Sequence, residues 1–409
     1  MAGNIGDVLG TTYNLPNFVG ELFGLTPTET PILSMSGGLT GGRPTDGNTL
    51  FSWQNYDLAD AEQPAIVEGA DPVDQGRIRD EVWNTVQIFQ KSVMLSYTKQ
   101  AANRELGPFA SSRTWSIMGN QPVGDELAWQ LQLAIEETAR DVEYSFINGT
   151  YQKPADNNTG RKTRGLLSAI TTNVIQVGDT ATERTFTAAD TGDLFTHVAH
   201  GLTVGDEIEI STVGTGGTGI GGVGTHYWIA STASADTFQV STSDSDPVNN
   251  VLAVTADTIG TWKYIKCAPL SANVFDDLTL AMYDSGAPYR MPVVVCGGFQ
   301  KQKISDIYGY APEDRNVGGV NIQQIETDLS PRLGIVLDRH MPTDQLLLVD
   351  MSVIAPRFLP VPGKGHFFLE PLAKTGSYDR AQLYGEVGLE YGPELWHGKV
   401  TGLETKRGI

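Results

Sequence analysis

The stretch from Gly124 to Gly149, GDELAWQLQLAIEETARDVEYSFING, constrains the fold more than any other part of the chain. Leu127, Leu131, Ile135, Thr138, Val142 and Phe146 recur at intervals of four, four, three, four and four, a single apolar stripe on the helical period. Asp125 and Glu126 place negative charge in the first turn, where the helix dipole favours it. Asn148-Gly149 supplies the left-handed residue that ends a helix. At ~1.5 Å per residue such a helix spans roughly 35 Å. A helix of that length with one apolar stripe needs a sheet or a partner to lie on, so this stretch is the expected spine of the subunit.

Upstream, residues 1–47 read as an extended N-terminal arm. Phe18, Leu22, Phe23 and Leu25 can form one apolar turn, but Pro27, Pro31, Pro44 and the glycines after Met35 break the rest. The few apolar residues cannot bury themselves within the arm, which predicts packing on another subunit. Residues 48–100 read as a long hairpin: a strand at 50–56 and a longer one at 82–97, flanking a polar excursion from Ala59 to Glu81. A two-stranded ribbon is marginal in water by itself, so this segment also points to neighbours. Residues 101–175 hold a linker, the spine and a short buried turn at Gly165 to Ile170.

The composition then changes. From Gln176 to Trp262 the only basic residue is Arg184, and Thr, Gly, Ser and Asp dominate. Alternation at Phe195–Val198, Glu207–Val213, Tyr227–Ile229 and Thr237–Val240, separated by glycine and Asp-Pro turns, predicts a small all-β domain of about five to seven strands. It is expected as an insertion over 176–264 with its ends close together, near Val174 and Tyr264. Residues 265–345 return to α/β patterning. Ser271 can cap a helix that carries Phe275, Leu278 and Met282, Val293 to Cys296 reads as a buried strand, Gln300 to Tyr308 as a helix, and 311–332 as a polar loop. Residues 346–409 read as returning strands; the alternation Ala381, Leu383, Gly385, Val387, Leu389, Tyr391 could cover the spine stripe.

Chemistry is hard to find. The net charge of −20 repels nucleic acid, which argues against phosphate binding as the main task, and it keeps a concentrated protein soluble. The 46 glycines and 21 prolines suit β structure with many turns. Cys267 and Cys296 make no disulfide framework. None of the six histidines has metal-ligand spacing, and His197 and His200 have no acid or cysteine at a matched offset. No metal and no cofactor are expected. Asp244-Ser245-Asp246 runs into Pro247 and reads as a solvated turn. Gly214 to Gly219 matches GxGxxG literally, but a strand follows where a phosphate site needs a helix. There is no GxSxG. Counting alone leaves a carboxylate-pair hydrolase open, yet the acids fall mainly on polar faces, and the reading is that of a protein with no enzymatic role. The first ten residues lack the basic and apolar regions of a signal peptide, and no apolar run approaches a membrane span. Synthesis in the cytosol and no membrane partner are expected.

Several short motifs recur together: Glu21-Leu22-Phe23 and Glu29 to Leu33 in the arm, Phe51 to Gln54 opening the hairpin, and Val67-Glu68-Gly69 within it. Asn84 to Phe89, Ser96 to Thr98, and Ala139 to Glu143 followed by Asn148-Gly149 complete the set. With the order of elements, they resemble the HK97-fold major capsid proteins of tailed bacteriophages, and more narrowly the SU10-type major head proteins, over roughly 1–165 and 268–409. The inserted stretch is similar to small β modules of phage virion proteins.

The resemblance implies an α+β fold with N-arm, E-loop, P domain and A domain. It implies a structural role: hexamers and pentamers forming an icosahedral head around double-stranded DNA, without sequence-specific binding. Scaffolding, portal and decoration proteins become expected partners, the virion capsid the expected location, and the host cytoplasm the place of assembly. The short arm implies scaffolding in trans. Some members crosslink a hairpin lysine to a neighbour's asparagine; no lysine lies between Ala59 and Glu81, so no such crosslink is expected. Interface residues expected on this basis are Phe18, Leu22 and Phe23 in the arm, and Asp71, Asp74, Arg77 and Arg79 as intersubunit ion pairs. The competing reading is a surface adhesin carrying the β domain, or a compartment-shell protein.

Overall fold

In the computed structural model the amphipathic stretch forms a helix, Glu126–Asn148. The structure describes residues 26–45, 47–63, 65–71, 76–98, 126–156, 158–178, 183–308, 314–317, 320–325, 327, 329, 332–373 and 376–405. Thr138, Val142 and Phe146 of the expected stripe are buried and Leu127 and Leu131 are half-buried, but Ile135 is 47 % exposed. The buried row runs at i+4 intervals through Ala134, Thr138, Val142 and Phe146, and Ile135 falls off its edge. Thr138 hides its hydroxyl by donating to the Ala134 carbonyl at 2.7 Å.

The chain divides into two compact units, each discontinuous in sequence. One draws its described residues from 26–29, 88–142 and 360–386. Here the strand Gln87–Ser96 pairs with the strand Tyr378–Glu390, which pairs antiparallel with Phe367–Pro371. Phe89, Val93 and Leu95 are buried while Ile88 and Met94 are exposed, the period-two signature of a half-covered sheet. Lys91, on the same side as Phe89 and Val93, reaches the helix: its Nζ lies 2.8 Å from Asp141 and 3.7 Å from Glu137. The Asp141 hydrogen bond raises the Lys91 pKa above its ordinary value. Gly385 is required by close packing, because a β-carbon there would lie 2.2 Å from the Phe367 ring.

The second unit draws on 30–87, 143–359 and 387–405. Its centre is a seven-stranded sheet in the order Asp314–Val317, Val320–Ile325, Leu333–Leu337, Pro292–Cys296, Leu346–Asp350, Gly398–Thr401, Val174–Gln176. The polar loop expected over 311–332 therefore contains two strands. Helices Ala272–Asp284 and Gly298–Tyr308 supply Phe275, Leu278, Met282 and Ile304 to a core shared with Val294, Cys296, Leu346, Leu348 and Val400. Ser271 occupies the cap position of the first helix, but its side chain makes no cap bond.

Between Val174–Gln176 and this lobe the chain forms a closed six-stranded barrel. Around it run His226–Thr232, Thr237–Ser241, Leu194–Thr196, Arg184–Ala189, Trp262–Lys266 and Glu207–Thr212, the last pairing back to the first. Phe186, Phe195, Ile208, Ile210, Tyr227, Phe238, Trp262 and Tyr264 fill it. Entry and exit touch: a β-carbon on Gly178 would lie 2.0 Å from the Lys266 carbonyl oxygen.

The strand expected over 82–97 is broken at Val86. Arg79–Thr85 pairs with Leu50–Tyr56, whereas Gln87–Ser96 turns to other partners. Asn84 explains the break. Fully buried, it donates to the carbonyls of Arg164 and Leu389 and accepts from the amides of Thr85 and Arg164, which pins the chain where it changes sheets.

The root of the arm also differs from expectation. Pro31–Ser36 is a short helix with Ile32 and Leu33 buried, and Arg43–Pro44 pairs in parallel with Arg357–Phe358. From Pro31 onward the arm thus packs on its own chain.

Candidate intersubunit surface

The hairpin is a bare two-stranded ribbon, registered from Leu50 opposite Thr85 to Tyr56 opposite Arg79. Past Tyr56 and Arg79 the described residues form neither strand nor helix. Tyr56, Leu58, Ile66, Val67 and Ile78 lie there with 72 % to 89 % of their surface exposed. Covering such a side chain stabilises by roughly 1.5–3 kcal/mol, and nothing within the ribbon can do it. Several large apolar side chains exposed along one short excursion are what an interaction partner covers.

Of the residues expected at the interface, Asp71 and Arg77 are exposed on this same excursion. Arg79 is exposed too, but its guanidinium donates across the ribbon to Gln54 Oε1 at 3.1 Å. Phe18, Leu22, Phe23 and Asp74 lie outside the described residues. Sequence reading concentrated on the charges of this segment and missed its apolar members, although Ile66-Val67 and Ile78 were visible in the polar run.

A second missed residue is Glu143. The short helix at Pro31 has no side-chain cap of its own. Instead the carboxylate of the fully buried Glu143 accepts the amide of Ile32 on one oxygen and that of Leu33 on the other, both at 2.7 Å. Burial first, and then the neighbouring Asp338 carboxyl, push the Glu143 pKa well above the ordinary range. Asp338 is itself 1 % exposed, with one oxygen accepting the His340 amide at 2.7 Å.

The histidines divide by environment. His200 accepts the Leu202 amide on Nδ1, so its Nε2 donates to the Ser234 carbonyl; it is a satisfied turn residue. His397 accepts the Asp350 amide and donates to the Tyr391 carbonyl at 2.6 Å, and burial lowers its pKa. His226 differs. Its Nδ1 stands 2.8 Å from Glu207 Oε1 and 3.9 Å from Cys267 Sγ. Burial alone would lower its pKa, but the Glu207 hydrogen bond and the surrounding carboxylates raise it. Sheet register builds this group. Ile208 and Ile210 point into the barrel, so Glu207 and Glu209 face outward; His226 lies opposite Glu209, and the Cys267 amide bonds the Glu207 carbonyl.

Compared with solved structures, the chain is similar in fold to the cyanophage A-1(L) capsid subunit, with a TM-score of 0.52 and 12 % identity over 98 % of this chain and 99 % of that one. Similarities at TM-scores of 0.45 and 0.44, each with 10 % identity, extend to the SrpI encapsulin of Synechococcus elongatus PCC 7942 (99 % and 96 % of the two chains) and to Mycobacterium phage Ogopogo (95 % and 96 %). No curated protein matches by sequence. The architecture is α+β and HK97-like, that of a capsid shell subunit. The family described as SU10 major capsid protein matches residues 5–211 and 228–404, and the chain belongs to that family. Its role is structural, in a shell built from many copies of itself, and its place is the virion capsid of a bacteriophage.

Proposed function

We propose that this chain forms the hexamers and pentamers of an icosahedral phage head that encloses double-stranded DNA, and that it does so without enzymatic activity. The observation that carries the proposal is the set of exposed apolar residues at and beyond the end of the ribbon: Tyr56, Leu58, Ile66, Val67 and Ile78. A subunit with this feature is incomplete alone, and a neighbouring copy is the surface that repeats often enough to complete it. In this reading residues 48–100 are the E-loop lying over an adjacent subunit, 265–345 are the A domain directed to the capsomer centre, 101–175 the P domain, and 346–409 the returning strands. The arm, 1–47, adds Phe18, Leu22 and Phe23 to the neighbour. In the same reading Asp71, Asp74 and Arg77 contribute ion pairs between subunits.

The excess negative charge suits a container wall, because packaged DNA is not glued to it. Scaffolding in trans, a portal and a decoration protein are the proposed partners, with assembly in the host cytoplasm. The test is expression of the chain alone, and then with scaffolding and portal, followed by sedimentation and electron microscopy. Closed shells or capsomers are expected. A monodisperse monomer at high concentration, folded with the ribbon ordered, would overturn the proposal. Shells that never take up DNA beside a portal and packaging motor would favour a compartment shell instead.

A further inference from the structure

We propose that Glu207, His226 and Cys267 bind a divalent ion of the zinc class at the foot of the barrel. One ligand atom from each of the three lies within 4.8 Å of the others, and a second trio of the same kind, Glu209, His226 and Asp344, shares the imidazole. Four segments meet here: the strand Glu207–Thr212, the opening residue of His226–Thr232, the residue after Trp262–Lys266, and the turn before Leu346–Asp350. The barrel and the lobe below it both contribute.

Three features favour a metal over a simple hydrogen-bonded group. First, Nδ1 of His226 faces a carboxylate oxygen and a thiol together, and one N–H cannot serve both well. Separations of 2.8 and 3.9 Å bracket the ~3.3–3.7 Å between ligands of a tetrahedral zinc with bonds of ~2.0–2.3 Å. Second, Glu207 is held rigidly: its two oxygens accept the hydroxyl and the amide of Thr405, at 2.6 and 2.9 Å, and lone pairs remain on both. Third, the charge is unbalanced. Glu207, Glu209 and Asp344 gather around the His226 imidazole, with the Cys267 thiol beside them. One imidazole stands among them, and a divalent cation would offset that excess and take the thiolate as ligand. Sulfur, imidazole and carboxylate together select zinc or cobalt over calcium or magnesium. The ion would fasten the barrel to the lobe at Asp344 and Thr405, and so fix how the barrel is presented.

The test uses purified protein in its assembled form. Elemental analysis of the wild type is expected to find one zinc per chain. After chelation, cobalt is expected to restore one ion per chain with a thiolate-to-cobalt charge-transfer band in the near ultraviolet, and zinc to raise the melting temperature. Cys267→Ser is expected to abolish the band, His226→Gln to weaken cobalt binding by ~100-fold or more, and Cys296→Ser, at the buried end of the central sheet, to change neither. A folded wild type that carries no metal, shows no band with cobalt and gains no stability from zinc would overturn the proposal, as would a band that survives in Cys267→Ser. Because shells can form without this ion, the result stands apart from the assembly test.

Discussion

The barrel between Arg184 and Lys266 closes on itself; the ribbon of Leu50–Tyr56 and Arg79–Thr85 has two edges and leads into an excursion with apolar residues in the open. Both are β structure of ordinary strand length. In the barrel every strand has two neighbours, and rings such as Phe238 and Trp262 are inside. In the ribbon each strand has one neighbour; its base is anchored by the buried Phe51 and by Trp53, whose indole donates to the Gly392 carbonyl, but its far end is uncovered. The first is a finished object whose energetics are internal. The second defers its burial to something outside the chain. A shell is held by what its subunits leave unburied, so assembly calls on the ribbon and not on the barrel.

The comparison breaks most visibly at the ribbon. Val67→Asp with Ile78→Asp should leave the chain folded, by circular dichroism and thermal melting, and abolish shells in electron microscopy. Each substitution forfeits roughly 1.5–3 kcal/mol at a contact repeated in every subunit. Normal shells from the double variant would show that the apolar excursion is not an interface. The barrel should respond oppositely. Phe238→Ala should cost the barrel about 3–5 kcal/mol, seen as a lowered melting transition, while shells still form.

Glu143→Ala should cost about 3 kcal/mol, since two buried amides at Ile32 and Leu33 lose a shared carboxylate. Freed arm roots should show as faster proteolysis near Pro31. Excision of 179–265, bridging Gly178 to Lys266, should not change assembly at all, because the ends already touch. Excising 176–264, the boundary expected from sequence, would cut Gln176 from the central sheet and leave the end of the last barrel strand behind. The smallest effect on stability is a pH dependence. His397 is buried with a lowered pKa, so the unfolded chain binds its proton more readily than the folded one. Its contribution is present above about pH 6.5 and is lost as pH falls below it, with a slope approaching ~1.4 kcal/mol per unit. Melting temperatures between neutral and mildly acidic buffer would follow that sign, and His397→Gln should flatten the slope.

The parts that were legible in the sequence are those with a local period. The spine helix, the strands at Leu50, Glu207, Tyr227 and Thr237, and the buried Val293 to Cys296 all announce themselves by spacing. The misses share another cause. Val320-Asn321-Ile322-Gln323 does alternate, but the flanking Gly318-Gly319 and the acids before it outweighed four residues of pattern. Glu143 reads as one more polar helix residue because its partners lie 110 residues or more away. Glu207, His226 and Cys267 follow no motif; only strand register gathers them. Among the interface residues, Arg79 shows the limit of reading charge alone: whether it bonds Gln54 or a neighbour depends on the ribbon's pairing, which composition does not encode.

The meeting of Gly178 with Lys266 has a practical consequence. A segment whose termini coincide can be exchanged for any cargo whose own termini coincide, and the lattice is spared the stretch. Nanobodies, enzymes or antigens of that geometry could be spliced at this point, one copy per subunit, a density set by the shell rather than by chemical conjugation.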